Sequence, residues 1–298
     1  MVELPRPRIS KSSPPAADRG TARSDLGLFG PRSISWQVHA DPLFGAGGLR
    51  ALFLQALHPR AMAGVAQNSD FDSAPWDRLM RTADYVVTVT FGTSAEARRA
   101  AAVVRGVHRQ LTACDPFTGE QFRIDDPDLL RWIHVVEAES FLSTARRGGL
   151  RLDAQQVDRY YREQLRAAEL IGLDPATVPS STAEVADYFR LIRPQLAATP
   201  EARAAVRYLF RPPMPRRPAR ALARPGWMLL AGLGFSLMPG WARRLYGLPG
   251  LGVADLAPTL SVRALRGMVT HLPTPMRDGP PKIREARLRA QSAAVAEV

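Results

Sequence analysis

The stretch Thr93-Ser-Ala-Glu-Ala-Arg-Arg-Ala-Ala-Ala-Val-Val-Arg-Gly-Val-His-Arg-Gln-Leu111 decides the fold class. Thr93 and Glu96 have the spacing of a capping box, in which a hydroxyl and a carboxylate three residues apart satisfy each other's free N–H groups at a helix start. Ala97, Ala101, Val104, His108 and Leu111 then recur at three- and four-residue intervals. That period places them on one apolar stripe and turns His108 inward. The spacing predicts a helix from Thr93 to about Leu111.

The same period extends in both directions. Gly48 to His58 reads as a helix stopped near Pro59. Pro75 suits the first turn of another helix, running to about Thr90 and closed at Gly92. Its later part, Tyr85 to Thr90, is β-branched and has strand propensity, but no partner strand is evident elsewhere, so it is read as helix. Asp126 can cap the next helix, with Pro127 in its first turn, as far as about Arg146 and a stop at Gly148-Gly149. Further helices are expected at 154–171, 182–196, 200–210 and 255–271. Residues 211–225 hold five prolines and five arginines and read as a linker before the apolar segment 226–245. The expectation is an all-α, single multi-helix domain over residues 31–272. A disordered arm (1–30) precedes it, and a basic, Ala-rich tail (273–298), a loose surface helix, follows it.

The 298 residues are 46% hydrophobic, enough for a full core, and carry a formal charge of +12 resting almost wholly on arginine; Lys11 and Lys282 are the only lysines. Such a balance suits an anionic partner, or reflects arginines spread over solvated faces. The arginines are scattered and lack interleaved aromatics, so no nucleic-acid partner is expected. The single cysteine, Cys114, cannot form an intrachain disulfide and fits a reducing, cytoplasmic setting. Residues 1–30 have no apolar run and do not read as a secretory signal. The longest apolar stretch, Trp227 to Trp241, is broken by Gly232, Gly234, Pro239 and Gly240, and a spanning helix needs about 20 apolar residues. Arginines 216, 217, 220, 224, 243 and 244 flank it. It is read as a buried core helix or as a peripheral contact with an anionic membrane through 216–244.

Five histidines are present, and three fall within the predicted central helices. His108 is on the stripe above, and His134 shares a face with Leu130 and Phe141. His58 stands at a helix end, where it can bond free carbonyls. An inward neutral imidazole can ligate haem iron or sit hydrogen-bonded in a core, and the residues alone leave both open. Spacing excludes several other chemistries. There is no His-Glu-x-x-His zinc motif and no paired-cysteine site. A di-iron bundle wants Glu three residues before a histidine, where this chain has Gln55, Arg105 and Arg131. Neither a serine-hydrolase elbow nor a phosphate-binding glycine loop is present. Arg78, Arg81, Thr82 and Tyr85 share one helix face. They form either a cationic wall toward a bound anion or a solvent stripe paired with Asp77 or Asp84.

Five motifs resemble those of a known family. They are Leu54-Gln-Ala-Leu-His58-Pro-Arg-Ala-Met-Ala-Gly64, Arg78-Leu-Met-Arg81-Thr82-Ala-Asp84 with Phe91-Gly92, Val104-Arg105-Gly-Val-His108, Asp126-Pro-Asp-Leu-Leu-Arg-Trp132-Ile-His134, and Trp241-Ala-Arg-Arg-Leu-Tyr246-Gly-Leu-Pro249-Gly. The order and spacing of the first four resemble the domain shared by the MpaB-type oxygenases and the latex-clearing rubber oxygenases, the last also looks like the bacterial, functionally unassigned branch of that family, and the resemblance covers about residues 35–270. The resemblance implies a helical fold with a globin-like core holding haem b. It implies His108 as the axial ligand to the iron, Arg78, Arg81 and Thr82 on the catalytic, oxygen-binding side, and His58 and His134 as further pocket residues. The chain departs from the rubber enzymes in two places. Arg81 stands where they carry lysine, and their catalytic glutamate has no counterpart near residues 60–65.

Residues and resemblance together read as a haem-b-dependent oxygenase taking dioxygen and an apolar, isoprenoid-like substrate. The alternatives are a non-catalytic haem or lipid carrier, and a basic, membrane-peripheral helical protein without cofactor.

Overall fold

Two helices cross at the centre of the molecule and make its most extensive helix–helix contact: α2 (Phe44–Gln55) and α6 (Pro127–Arg147). The computed structural model describes residues 25–68, 75–212, 218–248, 256–271 and 281–296. Both central helices bury residues around most of their circumference; Phe53, Leu54, Trp132 and Val136 are wholly enclosed. Such all-round apolarity marks a helix buried within a core. Polar cross-links fix their register: Gln55 donates to the Ile133 carbonyl, and the Trp132 indole N–H donates to the Gln55 carbonyl.

Around this pair stand α1 (Ile34–His39), α3 (Pro59–Gln67), α4 (Pro75–Phe91), α5 (Ser94–His108), α7 (Ala154–Leu170), α8 (Thr182–Ile192), α9 (Pro200–Phe210), α10 (Pro218–Ser236), α11 (Gly240–Leu245), α12 (Leu256–Thr270) and α13 (Pro281–Ala296). Among the described residues the structure is all-α apart from one small hairpin, β1 (Thr112–Cys114) with β2 (Gln121–Arg123). Helix α10 packs closely on α2. At Gly234 an added Cβ would stand 3.0 Å from the Ala46 carbonyl oxygen and 3.1 Å from the Arg50 nitrogen, so only glycine permits that approach.

The capping signals read from the sequence are present. Thr93 and Glu96 form the reciprocal box, and Asp126 accepts from the Asp128 N–H. The segment from Tyr85 to Thr90 is helical, because Val86, Val87 and Val89 are buried within the helix packing.

Several boundaries differ from the expectation. The helix expected over Gly48–His58 ends at Gln55, and Pro59 begins a new helix rather than only stopping one; proline's missing N–H costs nothing at a first helical turn. The helix from Thr93 ends at His108, short of Leu111. The chain then enters the hairpin, whose turn is made by Asp115 accepting from the Phe117 and Thr118 N–H groups and by Gly119 at φ +74°. Residues 218–225, read as linker, begin α10, which carries Pro225 inside it; linker residues 213–217 lie outside the described residues. Of the N-terminal arm, residues 1–24 lie outside them too. Residues 25–30 belong to the fold, since the Asp25 carboxylate accepts from the Ser94 N–H and hydroxyl, and Phe29 is buried.

The tail contributes to the core as well. Ile283 and Ala286, one turn apart on α13, pack against Trp36, Val87 and Phe91, and Arg289 donates to the Phe91 carbonyl. Among the described residues, no helix is long and apolar enough to cross a membrane. The Trp227–Trp241 segment divides between α10 and α11, with Leu233, Phe235, Leu237 and Met238 buried and Met228 and Leu229 exposed beside exposed Arg224.

Candidate functional site

Helices α4 and α5 form a tight antiparallel hairpin. Gly92 makes the turn where an added Cβ would lie 2.5 Å from the Thr88 carbonyl oxygen, and Thr93 caps α5 at once. Because α5 runs straight back along α4, its last turn, with Arg105 and His108, returns to the end of the hairpin where α4 carries Arg78, Arg81 and Thr82. The charges that these side chains feel nevertheless differ: Arg78 is next to Arg81 and the Tyr208 phenol, and His108 is next to the Asp125 carboxylate.

Their side chains are not equivalent. His108 is half-buried and is the final residue of α5, not a mid-helix residue. Burial lowers its imidazole pKa, with the Asp125 carboxylate opposing, and its ring bonds to no other described residue. Arg78 is half-buried, its guanidinium lowered by burial and then by the neighbouring charge of Arg81, with the Tyr208 phenol acting the other way. Arg81 and Thr82 are exposed, and the Thr82 hydroxyl donates back to the Arg78 carbonyl at 3.1 Å.

His58 and His134 come from the central layer. His58 is buried and is the N-cap of α3, where its Nδ1 accepts from the Ala61 N–H at 3.4 Å. It caps the following helix, rather than bonding the carbonyls of the preceding one. Burial, followed by Arg60, keeps it neutral. With Nδ1 accepting, the proton lies on Nε2, which leaves that nitrogen no lone pair for a metal. His134 is also buried, and burial pulls its pKa to about 4. Neither of its ring nitrogens bonds to a described residue.

His39 shows what a satisfied core histidine looks like in this fold. Its Nδ1 lies 2.8 Å from the Thr90 hydroxyl and its Nε2 3.1 Å from the Tyr160 hydroxyl, which itself donates to the Ala138 carbonyl. Tyr160 has spent its proton, so Nε2–H donates to it and Nδ1 accepts from Thr90. Burial holds His39 neutral, at a pKa of about 3.

One residue escaped the sequence reading. Glu137 lies one turn beyond His134 on α6, and burial raises its carboxyl to a pKa of about 7. It makes no hydrogen bond to a described residue. The Tyr85 hydroxyl is pushed up first by burial and then by the Glu137 carboxyl, with the Arg105 guanidinium opposing. Tyr85 of α4 thus stands within electrostatic reach of both Glu137 on α6 and Arg105 on α5, which in turn precedes His108 by one turn. The signal was present in the sequence, since Glu137 shares the inward stripe of Leu130, His134 and Phe141. A di-iron motif has glutamate before the histidine, whereas Glu137 follows His134.

Among the described residues, no group of three or more His, Cys, Asp or Glu side chains is placed to hold a bare metal ion. A porphyrin supplies four nitrogens of its own and asks the protein for one axial ligand. A neutral imidazole without a partner meets that demand, and His108 and His134 both offer one. A haem bound here would take its ligand from one of these imidazoles, and the Arg78 guanidinium would pair with a propionate.

The family model described as ER-bound oxygenase mpaB/B'/Rubber oxygenase, catalytic domain, matches residues 36–271, most of the chain. No curated protein and no solved structure matches it.

Proposed function

The chain belongs to the ER-bound oxygenase mpaB/B'/rubber oxygenase catalytic-domain family, and from that premise we propose that it is a haem-b-dependent oxygenase acting on dioxygen and an apolar, isoprenoid-like substrate. The observation that carries the reading is the half-buried, unpartnered imidazole of His108 at the end of the α4–α5 hairpin that also bears Arg78.

Bound haem supplies the binding and activation of dioxygen. With haem bound, His108 would hold the iron through a ring nitrogen in its neutral state, and Arg78 would pair with a propionate. Arg81 would act beside the bound group as a fixed cation, since a guanidinium does not surrender its proton near neutrality, and Thr82, whose proton is given to the Arg78 carbonyl, would offer its hydroxyl oxygen. His134 and Glu137 contribute from α6. With a pKa of about 7, Glu137 can either hold or release a proton at its carboxyl near neutral pH, the property wanted of a general acid or base. Tyr85 offers a hydroxyl that remains protonated. Exposed Met228 and Leu229 beside Arg224 support a peripheral membrane contact of this part of 216–244.

Oxygen uptake tests the activity. The full chain, expressed with ample haem precursor and purified, is supplied with a reductant and a soluble isoprenoid oligomer such as squalene in detergent. Substrate-dependent oxygen consumption, with incorporation of labelled oxygen into the product, is the expected result. A protein that carries haem yet consumes no oxygen with any apolar substrate is a carrier, and the oxygenase reading then fails.

A further inference from the structure

The groove that opens between the second half of α6, the start of α7, α8 and α12 is unrelated to the site above, and its volume is about 980 Å3. Its floor is apolar, formed by Leu142, Val157, Val185 and Phe189. Its rim is cationic, with Arg146, Arg147, Arg151 and Arg263 all lining it. The two acidic residues there are already engaged. Glu139 takes both terminal nitrogens of Arg50, at 2.5 and 3.1 Å, and Asp153 accepts from the Gln156 N–H as the cap of α7. Arg147 is held by the Leu237 carbonyl and the Thr259 hydroxyl, which aligns one side of the rim. The exposed Arg146 and Arg151 have no bonded partner among the described residues.

A second observation points into the same space. Tyr161 lines the groove and is only 6% exposed. Its hydroxyl makes no hydrogen bond to any described residue. A buried phenol that ends unpaired in a wet groove is a donor waiting for an acceptor.

We propose that this groove binds a free, single-chain amphiphile with an anionic head, a carboxylate or a phosphate monoester. The alkyl or prenyl chain lies on the floor formed by Leu142, Val157, Val185 and Phe189. The head sits among Arg146, Arg151 and the Tyr161 hydroxyl, because guanidinium groups bond oxyanions in a matching planar geometry. Neither end of the groove alone describes the ligand: an inorganic anion leaves the apolar floor wet, and an uncharged chain leaves the arginines unpaired.

Isothermal titration calorimetry on the full chain tests this, with dodecanoate and dodecyl phosphate below their micelle concentrations. Saturable one-to-one binding of at least one of them is expected, and which one binds tighter identifies the head. Dodecanol and inorganic phosphate are each expected to bind about tenfold or more weaker. Arg146→Gln with Arg151→Gln, both exposed and safe for folding, should weaken binding about tenfold or more. Tyr161→Phe should weaken it roughly three- to tenfold. Ala186→Trp, on the exposed edge of α8, should block the chain. The proposal is overturned if neither amphiphile binds, if dodecanol binds as tightly as the acids, or if the arginine pair can be removed without effect. Binding that appears only on vesicles of anionic lipid, with no uptake of the free amphiphile, overturns it in favour of a membrane-contacting surface.

Discussion

Arg50 of α2 and Glu139 of α6 form a two-pronged ion pair inside the protein, at 2.5 and 3.1 Å, with Arg50 only 2% exposed. The same guanidinium donates to the Ser140 hydroxyl and to the Leu237 carbonyl just past α10. One side chain therefore ties together the three elements that form the centre of the fold. Removing one partner of such a pair leaves the other charge buried and uncompensated, which costs roughly 3–5 kcal/mol. Arg50→Met is expected to destabilise by about that much in urea denaturation. Arg50→Met with Glu139→Met should recover a large part of the loss, because the stranded carboxylate is then gone. A single variant within about 1 kcal/mol of the parent would show that the pair does not hold the centre together.

The pH dependence of stability isolates Glu137. Its folded pKa of about 7 lies above the value of about 4.3 expected in an unfolded chain. Between these values the folded state keeps a proton that the unfolded state has lost, so this group makes stability fall as pH rises toward 7 and adds no further slope above it. His134, with a folded pKa of about 4 against an unfolded value of about 6.5, acts with the opposite sign: stability rises between those values. The two partly cancel in the parent. Glu137→Gln should remove the first contribution, so its stability relative to the parent should increase between about pH 5 and 8, by an amount on the order of a few kcal/mol. Parallel thermal melts at several pH values measure this. A difference that stays flat with pH would mean that Glu137 titrates as an ordinary surface carboxylate.

The C-terminal helix is expected to add to stability. Ile283 is 5% exposed and Ala286 2% exposed, against Trp36, Val87 and Phe91. Ile283→Ala should cost about 2 kcal/mol or more, as large-to-small changes at buried aliphatic positions do. In a domain of this size that is a fall in Tm of roughly 4–8 °C. Ending the chain at residue 280 should cost at least as much. A truncated protein with an unchanged Tm would show that α13 does not dock in solution.

The sequence announced most of the helices because their signals are local. Thr93 with Glu96, and Asp126 with Pro127, carry their capping chemistry within four residues, and both caps form. Helix α1, with six residues capped by Ser33, is too short for a period to show. The hairpin at 112–123 was masked by the helix preceding it, although Asp115 and Gly119 were there to mark its turn. The docking of α13 depends on contacts with Trp36, Val87 and Phe91, far away along the chain, which no local pattern reports. At the candidate site, the helix face of Arg78, Arg81 and Thr82 was legible, but the depth at which each side chain lies was not. Arg78 is half-buried, whereas Arg81 and Thr82 reach solvent. The raised pKa of Glu137 arises from its burial in the folded chain, which the sequence of α6 alone does not reveal.

Whether His108 binds the iron of a haem is read from the absorption spectrum of the full chain, purified after expression with ample haem precursor. A strong Soret band is expected for the parent. His108→Ala should lose the band or shift it to a form with water as the ligand, whereas His58→Ala and His134→Ala should perturb the spectrum and keep the iron bound. A normal spectrum in His108→Ala with loss of haem in His134→Ala would move the ligand to α6, where the other unpartnered imidazole lies. A parent protein that remains colourless with haem in excess would contradict the account altogether.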